Sequence, residues 1–435
     1  MDQREAATIA MASIFALHPQ SKGILGVPVM IWGDPGTGKS SLVEGLAQHI
    51  HDLVKNSPNE GKKFQRYMEQ VFGDNAPSGF AFSTVNAITP DIGKFAGYPM
   101  PPAPGNPFIA RALPEWARDF LPQSKGGGGK WGVVILGELS EASPTVQAAA
   151  LEVVVGRRID NETLQAVFLA TGNPKEVNIS GRNLPAALAN RFVVLTIDPT
   201  SESYRDISAQ GLSKGFDFLY KELRIPDPEK TVENFKKFAV ILEAYFERFP
   251  GDAYEPPNRE SQVYPTTRSW DMAMRVLSSL EAMDPKDKTH YMELVLQGTV
   301  GTKAAANFMN YYLGLKIPTP QELLSGEAEI PKELDAAVVS IRTTHAYVLE
   351  RPSQEKIYRL IDLFNELGKT YPDPAAREVK ELLEEVKRKG SPVAEHVNVE
   401  GVVHRLSPDL VRFVEEYAER IHRGMSKKGG IEGPA

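Results

Sequence analysis

The chain predicts an α/β protein: a doubly wound parallel sheet, followed by an α-helical lid and a helical C-terminal extension. Three observations carry this. Five short apolar runs, at 27–32, 80–85, 131–136, 166–171 and 192–197, are nearly continuous rather than alternating, as strands covered on both faces must be. Helical spacing of apolar residues separates them, which is the pattern of parallel strands joined by crossover helices. From about residue 201 the strand signal fades and helical periodicity takes over. The expected divisions are 1–200 for the core, 201–325 for the lid and 326–435 for the extension, with a disordered tail from Met425.

In order along the chain, Ile9, Met11, Ile14 and Leu17 space as a helix over about 6–17. The first strand, Val27 to Trp32, runs into a glycine-rich loop, and Leu42, Leu46 and Ile50 continue as a helix. Residues 55–80 are polar and include Asn56-Ser57-Pro58-Asn59-Glu60-Gly61, so they predict an insertion with a short helix near Phe64 to Phe72. Phe80 to Val85 is the second strand. Pro- and Gly-rich residues 97–107, a short helix from Pro114 to Leu121 and a flexible link at Gly126 to Gly129 come next. Trp131–Leu136, Ala166–Thr171 and Phe192–Ile197 complete the sheet, with its ligand expected at the carboxyl ends of the strands.

In the helical half, Phe235, Phe238, Ile241, Leu242 and Tyr245 make one face, and Met272, Met274, Leu277 and Leu280 another. Met292, Leu294, Val295 and Leu296 suit a further buried helix, and weaker amphipathic helices follow Pro318 at 336–349, 354–367, 375–389 and 408–423. These stripes are read as core packing and carry no site.

The composition, 42% hydrophobic and 24% charged over 435 residues, is that of an ordinary globular protein of two or three domains. It has no cysteine, which excludes disulfides, cysteine zinc sites and thiol catalysis. A net charge of −7 argues against a broad nucleic-acid-binding surface. No apolar run of about 18 residues predicts a membrane span, and the first residues lack a basic segment with an apolar core, so a cytoplasmic protein without membrane insertion is expected.

The loop after the first strand, Gly33-Asp34-Pro35-Gly36-Thr37-Gly38-Lys39-Ser40, is a complete P-loop in the required strand-to-helix setting. Its glycines let backbone N–H groups close around a phosphate chain at the positive end of the following helix. Lys39 would reach the β- and γ-phosphates, the Ser40 hydroxyl would bind Mg²⁺, and Ser41 completes the nucleotide-binding run. The expected cofactors are ATP and Mg²⁺.

The strand Val133-Val134-Ile135-Leu136 ends in Gly137-Glu138, where ATPases usually carry Asp-Glu. The Asp supports hydrated Mg²⁺ and the Glu polarises the attacking water, so Gly137 removes the first function and Glu138 keeps the second. Ala170-Thr171-Gly172-Asn173-Pro174 ends another strand with an amide that would hold the water or sense the γ-phosphate. Leu188-Ala189-Asn190-Arg191-Phe192 places an arginine between helix and strand, suited to a neighbour's γ-phosphate.

Lys39, the strand ending at Glu138, Asn173 and Arg191 stand in the order of Walker A, Walker B, sensor 1 and arginine finger, and the chain resembles AAA+ ATPases in this. Glu138-Leu139-Ser140-Glu141-Ala142-Ser143-Pro144-Thr145-Val146-Gln147 is similar to the MoxR-type branch, with likeness over roughly 10–320. Tyr264-Pro265-Thr266-Thr267-Arg268-Ser269-Trp270 resembles that branch's sensor 2, which implies that Arg268 reaches the phosphates. Thr89-Pro90-Asp91-Ile92-Gly93 through Pro99 and Val155-Gly156-Arg157-Arg158-Ile159 are similar to its two insertions, with Arg157 and Arg158 free to meet an acidic partner.

The resemblance implies an ATP-hydrolysing ring, a homo-hexamer, that remodels or activates a partner complex, the partner being a separate protein with a von Willebrand factor A domain. Hydrolysis would be slowed by Gly137. The alternatives are a nucleotide-gated scaffold without turnover and a DNA-directed motor; a small-molecule kinase fits least.

Overall fold

The computed structural model describes residues 1–20, 22–88, 91–101, 110–160, 162–174, 184–257 and 262–417. The chain divides into two compact units, Met1–Phe238 with Phe249–Met309, and Ala239–Arg248 with Asn310–Ala435.

The first unit opens with α1 (Gln3–Ile14), β1 (Val29–Trp32), α2 (Lys39–Asn56), α3 (Pro58–Phe72), β2 (Phe80–Asn86) and α4 (Ile92–Ala96). It continues through β3 (Tyr98–Met100), β4 (Ala110–Ala112), β5 (Trp131–Gly137), α5 (Pro144–Gly156), β6 (Arg158–Ile159), β7 (Glu162–Thr163) and β8 (Ala166–Gly172). Then follow α6 (Ala186–Ala189), β9 (Val193–Thr196), α7 (Glu202–Lys214), α8 (Pro228–Arg248), α9 (Thr267–Met283), α10 (Lys288–Val300) and α11 (Thr302–Gly314), of which α8 from Ala239 and α11 from Asn310 belong to the second unit. The expected strands pair in one parallel five-stranded sheet, ordered β2-β5-β8-β1-β9. This is the predicted α/β core with its helical continuation.

Strand order and register place the chemistry. β1 lies between β8 and β9 although β2 follows it in sequence, so the chain changes direction across the sheet at the end of β1, where open α/β sheets bind ligands. Trp32 pairs with Gly172 and Leu136 with Ala170, so the carboxyl ends of β1, β5 and β8 finish level with one another. Both faces of the inner strands are covered, since the consecutive residues Val133 to Leu136 and Val167 to Ala170 are all buried, and Trp131, wholly buried, meets Phe15, Phe64 and Phe80.

Four expectations need correction. The polar stretch 55–80 holds a full helix, α3, whose buried Phe64, Tyr67, Met68 and Val71 are interleaved with charged solvent-side residues that hide the stripe. Residues 114–121 form a 3₁₀ turn over Glu115–Phe120. The glycines 126–129 are not a flexible link, because the N–H groups of Gly127, Gly128 and Gly129 donate to the carbonyls of Pro122, Arg118 and Leu121 at 3.2, 2.8 and 2.9 Å. Finally, Arg157 offers nothing to an acidic partner. It caps α5 in the left-handed region (φ 48°), turns inward and donates to the carbonyls of Leu25 and Gly26. Burial, then the adjacent Arg275 guanidinium, pulls its pKa down to about 9. Arg158 stays exposed at the start of the β6–β7 hairpin. Thr89, Pro90, residues 102–107, residues 418–423 of the last expected helix and the tail from Met425 lie outside the described residues.

The second unit is helical: α12 (Pro320–Ser325), α13 (Leu334–Glu350), α14 (Gln354–Thr370), α15 (Pro372–Lys387) and α16 (Val399–Arg405) close over a core that includes Ile341, Leu360, Phe364 and Leu382. Across it runs a buried ionic knot. Glu378 accepts from Arg342 Nε at 3.1 Å and lies 2.8 Å from His345 Nδ1, while Arg342 and Arg377 both reach Glu247. Removing one partner of such a knot strands the others in low dielectric. Glu378→Ala should therefore cost about 3–5 kcal/mol, read as a lower urea midpoint. A shift below about 1 kcal/mol would mean that the knot adds nothing to stability.

Candidate nucleotide site

The P-loop takes the conformation its residues dictate. Gly36 and Gly38 have φ of 81° and 82°, open to glycine at no steric cost, and Gly38 is the N-cap of α2. Thr37 folds its hydroxyl back onto the Asp34 carbonyl at 2.9 Å, which closes the loop over the first turn of α2. That turn presents its unpaired N–H groups and positive dipole end where β1 stops. A cavity of about 370 Å³ lies there, lined by Pro35, Gly36, Gly38, Lys39, Ser40, Ser41, Glu138, Thr171, Gly172 and Asn173. Gly33 and Asp34 contribute carbonyls behind it.

Lys39 is buried and its ammonium donates to Gly33 O, Asp34 O and Asn173 Oδ1 at 2.8, 2.8 and 2.9 Å. Burial pushes its pKa below the usual lysine range, and the carboxylates of Asp34, Glu138 and Glu141 oppose that shift. Glu138 is exposed to the cavity in a left-handed conformation, φ 58° and ψ 39°. A non-glycine residue held there costs on the order of 1–3 kcal/mol, and such strain concentrates at functional sites. The Thr171 hydroxyl oxygen accepts the Glu138 N–H at 3.1 Å, so β8 helps fix the turn that aims this carboxylate. Asn173 is held three ways. Its amide oxygen accepts from Lys39, its side-chain N–H donates to Glu141 Oε1 at 2.5 Å, and its backbone N–H donates to Ser140 Oγ at 3.0 Å.

Gly137 has open space. A Cβ added there would meet nothing nearer than Val85 O at 3.8 Å, and its φ is not positive. A Cβ at this strand end thus meets no clash.

Arg191 and Arg268 are brought together, but neither lines the P-loop cavity. Asn190 accepts from the Thr266 hydroxyl at 3.0 Å and donates to Tyr264 O at 3.3 Å, which pins the Arg191 segment to the N-terminus of α9. Thr266 caps that helix with Ser269, and Arg268 projects from its first turn into solvent. Arg191 donates to Ala187 O, and burial followed by the repulsion of Arg268 holds its pKa below the usual range. The pair is a doubled positive charge on one face of the unit.

A second cavity, of about 260 Å³, shares Gly36, Gly38 and Ser41 with the first and extends over Gln3, Tyr204, Ser208, Leu212, Phe216 and Tyr220. Its apolar and aromatic lining suits a planar base. These residues are absent from the sequence reading, since α1 and α7 carry no motif and lie far from the loop in sequence. The only signal is a run of aromatics, Phe216, Phe218 and Tyr220, after α7.

Elsewhere, His345, Glu378 and Glu381 bring ligand-type atoms within 4.8 Å of one another. Glu378 and Glu381 are already engaged by Arg342 and Arg377, so the cluster belongs to the ionic knot. No helix among the described residues is long and apolar enough to cross a membrane.

No protein-family profile and no curated protein matches the chain. Among solved structures, it is similar to a protein from Cytophaga hutchinsonii named a "putative ATPase", at 14% identity and a TM-score of 0.38 over 72% of this chain and 89% of that one. A likeness this low carries no argument, and the site stands on its own geometry.

Proposed function

We propose that the chain is an AAA+ ATPase of MoxR type that binds ATP with Mg²⁺ and hydrolyses it slowly, within a ring that remodels a partner protein. The observation that supports this best is the convergence of Lys39, Ser40, Glu138 and Asn173, from three strand ends, on one cavity beside a helix N-terminus. The first-turn N–H groups and Lys39 would hold the phosphates, the base would enter the cavity over Tyr204 and Phe216, and the Ser40 hydroxyl would hold Mg²⁺, which when bound offsets phosphate charge. Glu138 is placed to take a proton from water. Arg191 and Arg268, side by side and outside their own cavity, fit the γ-phosphate of an adjacent subunit. That differs from the sequence expectation, in which Arg268 closes its own subunit's site.

A site shared in this way has a direct test. Lys39→Ala and Arg191→Ala chains, each inactive alone, should recover phosphate release when mixed, because a mixed ring contains intact interfaces. No recovery, with both variants folded and a strictly monomeric wild type in ATP, would contradict action in trans. The client is expected to be a separate von Willebrand factor A domain protein, and pull-down of such a protein by the Glu138→Gln chain in ATP is the matching test.

Gly137 favours the second reading, a nucleotide-gated scaffold without turnover. The two readings separate on Gly137→Asp. Outer-shell carboxylates are worth about 10–100-fold in metal affinity or activity, so Gly137→Asp should raise turnover by about 10-fold or more with a lower Mg²⁺ requirement. If wild type and Gly137→Asp both lack turnover, the scaffold reading stands.

A further inference from the structure

We infer that Glu141 is a positioning residue that commits Asn173 to present its amide oxygen, and not its N–H, to the reacting phosphate and water. The inference rests on the ATPase reading above. Amide orientation is usually ambiguous, but here both ends are fixed by chemistry. Lys39 Nζ, 2.9 Å from one end, can only donate, and the Glu141 carboxylate, 2.5 Å from the other, accepts. The flipped amide would set N–H against ammonium and oxygen against carboxylate. Glu141 sits on the 3₁₀ turn Leu139–Glu141 directly after Glu138, and its backbone N–H donates to Glu138 O at 3.0 Å. One turn therefore carries both the candidate base and the group that orients Asn173.

The consequence concerns what Asn173 is able to do. Once Lys39 turns to the phosphates, Asn173 Oδ1 loses a donor and faces the cavity as an acceptor. An acceptor attracts a water hydrogen and repels a phosphate oxygen. Of the two roles open to Asn173, holding the attacking water and sensing the γ-phosphate, this geometry selects the first. Glu141 also places a carboxylate within electrostatic reach of Lys39, four residues beyond the one missing at Gly137.

The test combines turnover with binding, on the full-length chain. Glu141→Ala should lower kcat by about 10-fold or more with KM changed less than about 3-fold, since misoriented groups lose rate rather than affinity. Asn173→Asp should also lose turnover, because it sets a carboxylate against Glu141. The exchanged pair Glu141→Gln with Asn173→Asp restores a donor facing an acceptor while keeping an oxygen toward the cavity, so it should exceed Asn173→Asp by several-fold. In binding, Asn173→Ala should leave the ratio of affinities for a non-hydrolysable ATP analogue and for ADP within about 2-fold of wild type. A 10-fold selective loss of the ATP analogue in Asn173→Ala would show an N–H on the γ-phosphate and overturn the inference, as would an exchanged pair no better than Asn173→Asp. Absence of turnover in wild type would remove the hydrolysis reading alone, because the affinity ratio still decides which end of Asn173 faces the phosphates.

Discussion

Glu138→Gln leaves ATP bound and stops its hydrolysis, with turnover lower by about 10²–10⁴-fold and nucleotide affinity within about 3-fold of wild type. Glutamine keeps the size of the side chain and the hydrogen bond from the Glu138 backbone N–H to Thr171, so the strained turn at the end of β5 survives. What disappears is a carboxylate able to accept a proton from water. The left-handed backbone of Glu138 aims that carboxylate at the cavity containing Lys39, and a glutamine there is aimed just as well but is inert as a base. Stopped-flow binding of a fluorescent ATP analogue, run beside phosphate release, measures both quantities. Unchanged turnover in Glu138→Gln would assign the base elsewhere.

Lys39→Ala acts one step earlier and should weaken ATP binding by about 100-fold. A hydrogen bond to a charged group is worth about 1.5–3 kcal/mol, which is roughly 10–150-fold, and the Lys39 ammonium would serve two phosphates. Its present partners are the carbonyls of Gly33 and Asp34 behind the cavity and the amide oxygen of Asn173, which lines it, and water can replace the ammonium there. The variant should therefore keep its circular dichroism while losing nucleotide, and isothermal titration resolves the change. Equal affinity in wild type and variant would place the phosphates away from the P-loop.

The strands and the P-loop were legible because each is signalled locally. A doubly covered strand reads as an apolar run, and a phosphate loop needs glycines at fixed offsets. The level strand ends that bring Glu138 and Asn173 to Lys39 follow from strand order and register, which no local signal states. What stayed hidden depends on contacts distant in sequence. Arg157 looks like a surface cation until Leu25 and Gly26 are seen to supply carbonyls for it. The base-sized cavity joins α1 to α7, two segments without a motif. Glu141 reads as an ordinary turn acid until Asn173, from another strand, bonds to it. The pairing of Arg191 with Arg268 likewise appears only when Asn190 is seen to dock on Tyr264 and Thr266. Only the first part of α3, before Phe64, went unread, and for another reason: polar and charged residues outnumber apolar ones there.

On the ATPase reading, this cavity hydrolyses ATP despite glycine at position 137. Steady-state release of inorganic phosphate from ATP and Mg²⁺ by the purified wild-type chain, beside Glu138→Gln, tests it most directly. Wild type should release phosphate slowly and saturably in ATP, and Glu138→Gln none above background. Identical background rates from both chains, with nucleotide demonstrably bound and the client present, would contradict it.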